Sequence, residues 1–75
     1  MYTNEEFRQK LGESLKAERE SRGIKAIEIS KKMGVNKSTI SYYESGAKNM
    51  SAAALRDYCE CLGISMSDFF AKYFD

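Results

Sequence analysis

Apolar residues in this chain recur three and four positions apart, the spacing that lines one face of a helix. Phe7, Leu11 and Leu15 fall at intervals of four. Ile29 and Met33 are four apart, with Lys31 and Lys32 on the other side, and Ile40 and Tyr43 are three apart and face inward. Leu55, Tyr58, Cys59 and Leu62 repeat the pattern, and Phe69, Phe70, Tyr73 and Phe74 close it. No run alternates with period two for long enough to propose a strand.

Local signals set the boundaries. Thr3-x-x-Glu6 is a capping-box pattern and opens a helix over residues 4–22, which ends near Gly23. Gly12 lies inside that pattern and interrupts nothing. A short second helix covers 26–33 and stops at Gly34. Asn36, a good N-cap type, is expected to cap a third helix with its side chain; that helix runs through Ser45 to Gly46. Ser51 opens a fourth helix that stops at Gly63, and Ser65-x-x-Asp68 opens a short fifth. The expected fold is all-α, a compact five-helix bundle forming one domain over residues 1–75.

The second and third helices are joined by Met33-Gly34-Val35-Asn36. A turn this short, with glycine at its first position, sets two helices at roughly 90–120°. Residues 26–45 therefore read as a helix-turn-helix. Ser30 is small enough for close approach, and Ile29, Val35 and Ile40 can fill the angle. With Ile40 and Tyr43 inward, Lys37, Ser38, Ser41 and Tyr42 face out. All can donate hydrogen bonds and none is acidic. A helix fits the major groove, where side chains near its N-terminus reach base edges. Lys48 and Asn49, just past Gly46, are placed to meet a sugar-phosphate backbone, as is Lys25 at the start of the second helix.

Composition narrows the function. The chain has 75 residues and no histidine, which removes the usual general base and the commonest metal ligand. No nucleophile–base pair can be assembled, the acids are read as dispersed over helix surfaces, and an enzyme is not expected. No cofactor and no metal are expected either: Cys59 and Cys61 are two sulfurs, where structural zinc usually takes four ligands. Cys59 reads as a small core residue and Cys61 as a partly exposed thiol. No segment has the roughly 20 apolar residues that cross a bilayer. The polar, acidic start of the chain does not read as a signal peptide, so the cytoplasm is the expected location.

The net charge of +1 is unevenly spread. Residues 1–23 balance to zero, residues 24–50 carry +3, and residues 51–75 carry −2. A polyanion at short range meets the local field, because salt screens beyond about 8–10 Å.

Residues 12–70 resemble the Cro/C1-type helix-turn-helix family, the lambda-repressor-like DNA-binding domain. The resemblance rests on Leu15-x-x-x-Arg19-x-x-x-Gly23-Ile24, on Ile29-Ser30-x-x-Met33-Gly34-Val35-Asn36-x-Ser38-Thr39-Ile40-Ser41-x-Tyr43-Glu44-x-Gly46, and on Leu62-Gly63-Ile64-Ser65-x-x-Asp68-Phe69. It implies an ion pair between Arg19 and Glu44. It also implies base-reading or base-flanking roles for Lys37, Ser38, Ser41 and Tyr42, and phosphate contacts for Asn36, Lys48 and Asn49. The chain departs from the family at Ala26, where glutamine is usual, at Met50, where proline is common, and in lacking arginine on the third helix. These departures imply a weak monomeric binder.

The resemblance thus implies a sequence-specific regulator of double-stranded DNA, a repressor acting as a homodimer in the bacterial cytoplasm or nucleoid. Four aromatics in the last helix exceed what one small core needs, so Phe70, Tyr73 and Phe74 form the expected dimer or partner surface, with closure of the monomer's own core as the other reading of these rings. The alternative is a protein-interaction module, or the antitoxin half of a toxin–antitoxin pair, holding a protein partner through that same helix.

Overall fold

The computed structural model describes residues 1–74. It contains α1 (Asn4–Ser21), α2 (Ala26–Met33), α3 (Lys37–Ser45), α4 (Ala52–Leu62) and α5 (Met66–Phe74), with no strand among the described residues. The all-α, five-helix expectation holds, and each helix begins and ends within a residue or so of the sequence reading.

The starts follow from side-chain chemistry. Thr3 Oγ1 accepts the Glu6 N–H at 3.1 Å, and Glu6 Oε1 accepts the Thr3 N–H at 2.8 Å, which completes the capping box of α1. Ser51 accepts from Ala54 at the head of α4, and Ser65 accepts from Asp68 at the head of α5, both at 3.0 Å. Asn36 corrects the sequence reading. It occupies the N-cap position of α3 with extended backbone, but its side chain makes no capping hydrogen bond. Its carbonyl accepts from Thr39 at 3.0 Å instead, and the exposed amide is left to solvent.

The core draws on every helix: Leu11 and Leu15 from α1, Ile29 from α2, Ile40 from α3, Leu55, Tyr58, Cys59 and Leu62 from α4, and Phe69 from α5. Tyr43 was expected inside and is half-buried. The inward stripe of α3 runs through Ile40 and Glu44, four residues apart, so Tyr43 sits on its flank.

Nor are the acids all on the surface. Glu18 and Glu44 are both buried, and each is fully paired. Glu18 accepts from Arg22 Nε at 2.7 Å, and from Lys72 Nζ and Tyr73 Oη at 2.8 Å each. One carboxylate thus ties the end of α1 to α5. Lys72, with Arg22 and Tyr73, holds it down to a pKa of about 2 against the opposing effect of burial.

Candidate nucleic-acid interface

The position of α3 is fixed from behind by α1 and α4. Arg19 of α1 forms a two-pronged pair with Glu44: Nε to Oε2 at 2.8 Å and Nη2 to Oε1 at 3.0 Å. Its Nη1 donates to the Ile24 carbonyl at 2.8 Å, so the same guanidinium fixes the turn leading into α2. Tyr58 of α4 donates its hydroxyl to Glu44 Oε2. The pairing with Glu44 raises the Arg19 pKa, and burial, reinforced by Glu44, raises that of Tyr58. The anticipated ion pair is therefore present and forms part of a larger buried triad.

α1 also approaches α3 closely. A Cβ on Gly12 would lie 2.4 Å from the Tyr43 carbonyl oxygen and 2.5 Å from that of Glu44. Only glycine fits this crossing. The sequence does carry a signal for it, since glycine inside a helix costs about 1 kcal/mol relative to alanine and needs a packing reason.

With α3 held this way, its outer face is Lys37, Ser38, Ser41 and Tyr42, all exposed. Tyr42 keeps 54% of its surface open. These residues form two i, i+4 pairs, 37 with 41 and 38 with 42, on adjacent stripes of one helix. The sole carboxylate of α3, Glu44, is turned inward and neutralised by Arg19. The exposed face therefore carries a single charge, and it is positive.

Behind α2, Gly34 takes φ +70°, in the left-handed region that ends the helix, and the Val35 N–H returns to the Ser30 carbonyl at 3.0 Å. Ser30 is buried and its hydroxyl donates to the Ile27 carbonyl. This small residue leaves room for α2 and α3 to meet.

The segment after α3 folds back on the helix. The Ala47 and Lys48 N–H groups both donate to the Tyr42 carbonyl, at 3.0 and 3.3 Å. Lys48 and Asn49 are exposed, and Lys48 Nζ lies 6.0 Å from the Tyr43 ring centre. The Lys48 backbone is thus tied to the same helix that presents the four outward residues, and Asn49 follows it directly in the chain. Lys25 and Asn36 are exposed at the heads of α2 and α3. Phe70, Tyr73 and Phe74 belong to a different region, on α5, and all are half-buried. Phe74 meets Phe7 at 5.3 Å and Tyr2 at 6.0 Å between ring centres. Tyr2 and Phe7 are exposed, an extension of the aromatic surface that reading α5 alone missed.

The helix-turn-helix family model matches residues 15–69, which take in the whole of α2, the turn and α3. The chain belongs to the helix-turn-helix family. Solved helix-turn-helix structures align along most of its length. The clp gene regulator ClgR of Corynebacterium glutamicum superposes with a TM-score of 0.82 at 29% identity, covering 88% of this chain and 85% of that one. An HTH_3-family transcriptional regulator from Vibrio cholerae gives 0.82 at 30% identity, covering 93% of this chain and 39% of that one. A mutant of the restriction–modification controller protein C.Esp1396I gives 0.79 at 22% identity, covering 87% and 82%, a likeness of fold alone. No curated protein sequence matches the chain.

Among the described residues no cluster of three or more histidine, cysteine, aspartate or glutamate side chains is arranged to hold a metal ion. No helix among the described residues is long and apolar enough to cross a membrane. Cys61 lines an open groove of about 400 Å³ with Lys32, Met33, Asp57 and Glu60. Burial raises its thiol pKa, the opposite of what activates a cysteine nucleophile.

Proposed function

We propose that this protein is a non-enzymatic, sequence-specific DNA-binding transcriptional regulator that inserts α3 into the major groove. Membership of the helix-turn-helix family and the regulator neighbours support this reading. The observation that carries it is the outer face of α3, a donor-rich surface whose one acid is withdrawn into the core. In this reading Lys37 donates to guanine O6 and N7, and Ser38 and Ser41 donate or accept at neighbouring base edges. The Tyr42 ring contacts a thymine methyl. Lys25, Asn36, Lys48 and Asn49 meet phosphates on either side of the groove, which fix register without reading sequence.

One α3 with no arginine offers few base contacts, so a second copy is needed for useful affinity. A homodimer with two-fold symmetry sets two recognition helices about 34 Å apart on one DNA face. Linking them raises affinity through effective concentration. The aromatic surface of Phe70, Tyr73 and Phe74 is the proposed dimer contact, and blocking polymerase access by occupying a promoter makes the protein a repressor. Sedimentation velocity with and without a duplex tests this directly. Two chains per duplex are expected; one chain per duplex at saturation contradicts the dimer.

A further inference from the structure

We infer that Arg8, on the first helix and remote in sequence from the DNA-facing residues, positions the loop that carries Lys48 and Asn49. The inference rests on the DNA-binding reading above and adds a residue to it.

Arg8 and Gly12 are four apart on α1 and so share a face. At Gly12 this face touches the last carbonyls of α3; one turn earlier, the Gly46 backbone packs on Gln9, with a Cβ on Gly46 falling 3.0 Å from the Gln9 Cα. Arg8 Nε donates to the Gly46 carbonyl at 3.3 Å in this half-buried seam. The peptide joining Gly46 to Ala47 is thereby held from both sides. Its carbonyl goes to Arg8, and its N–H goes to the Tyr42 carbonyl and, at 3.3 Å, to Ser45 Oγ. Every tie on the N–H side comes from α3 itself. The Arg8 bond comes from another helix, so it relates the loop to the body of the domain. A guanidinium at the C-terminal end of α3 also complements the negative end of that helix's dipole.

The peptide so held leads straight into Lys48 and Asn49. Gly46 is at φ +80° and imposes no side-chain restraint of its own. Without Arg8 the loop gains freedom that binding must then remove, at a cost comparable to ordering one or two side chains.

The test compares Arg8→Met, which keeps the aliphatic stem, with Arg8→Lys, Lys48→Ala and the Arg8→Met/Lys48→Ala double variant. In the free protein, amide exchange at Gly46, Ala47 and Lys48 is expected to speed up in Arg8→Met while the helix cores stay protected. Unchanged exchange there overturns the inference with or without DNA. For duplex binding, Arg8→Met is expected to weaken affinity about three- to tenfold, with the salt dependence of the wild type. Arg8→Lys recovers part of the loss, and the double variant is weakened by less than the product of the two single effects. A salt slope shallower by about one, with multiplicative effects, makes Arg8 a phosphate ligand in its own right and overturns the positioning role. A wild-type protein that binds no duplex at low salt fails the DNA-binding reading itself, and the exchange data then show separately whether Arg8 orders the loop.

Discussion

At Gly12, α1 and α3 come so close that a single methyl group decides the packing. Alanine there would put its Cβ 2.4 Å from a backbone carbonyl, an atom that cannot rotate away. Alanine favours the helix by about 1 kcal/mol, yet Gly12→Ala is expected to destabilise the fold by about 1–3 kcal/mol. Urea unfolding checks this, and a more stable variant would mean that the helices do not cross as described. Helical periodicity places Gly12 inside α1 but is silent about what rests against it. Arg19 and Glu44 were legible only through family resemblance, and Glu18 escaped altogether. Its partners Lys72 and Tyr73 lie more than fifty positions away, a separation that no local pattern spans. Glu18 yields a prediction in pH. Its folded pKa of about 2 lies below its ordinary 4.5, so the stability it contributes is present above pH 4.5 and is lost as pH falls towards 2. Glu18→Gln is expected to lose about 2 kcal/mol at neutral pH, allowing for screening at half-exposed Lys72, and to show a flatter acid limb between those values. Thermal melts across pH 2–7 decide the point; an acid limb identical to the wild type's would show that Glu18 is not the group responsible.

Among the elements, the helices were largely legible because their signals are local. Thr3, Ser51 and Ser65 cap where the sequence placed caps, and glycines at positive φ end α2, α3 and α4. Asn36 shows the limit. A residue type suited to capping specifies the position, but whether its side chain turns to the helix or to solvent depends on competition that spacing does not record. α3 and the loop after it should separate reading from holding. Lys37→Ala is expected to cost roughly 1–3 kcal/mol of specific binding and to relax preference at one base position. Lys48→Ala should weaken binding to every sequence and make the salt slope shallower by about one. Titrations on matched and scrambled duplexes at several salt concentrations distinguish them, and a uniform loss from Lys37→Ala would recast that lysine as a phosphate contact.

For the whole molecule, function turns on where charge is withdrawn as much as on where it is displayed. A chain of net charge +1 gives no global attraction to DNA. Burying Glu44 beside Arg19 and Tyr58 leaves α3 with a face free of acids, and the same triad fixes that face relative to α1 and α4. The four residues of the face could be read from helical spacing around Ile40, although Tyr43 lies on the flank and Glu44 takes the inward position. The aromatic surface was only half visible: α5 announced itself, whereas Tyr2 and Phe7 join it only because the two ends of the chain meet in the fold. The central claim is that two such faces read DNA together. Its most direct test is selection of bound sequences from a random duplex pool at near-physiological salt. The account predicts enrichment of a near-palindrome whose half-site centres lie about 10 base pairs apart, one helical turn. No enrichment by a protein shown to be folded and helical would contradict it.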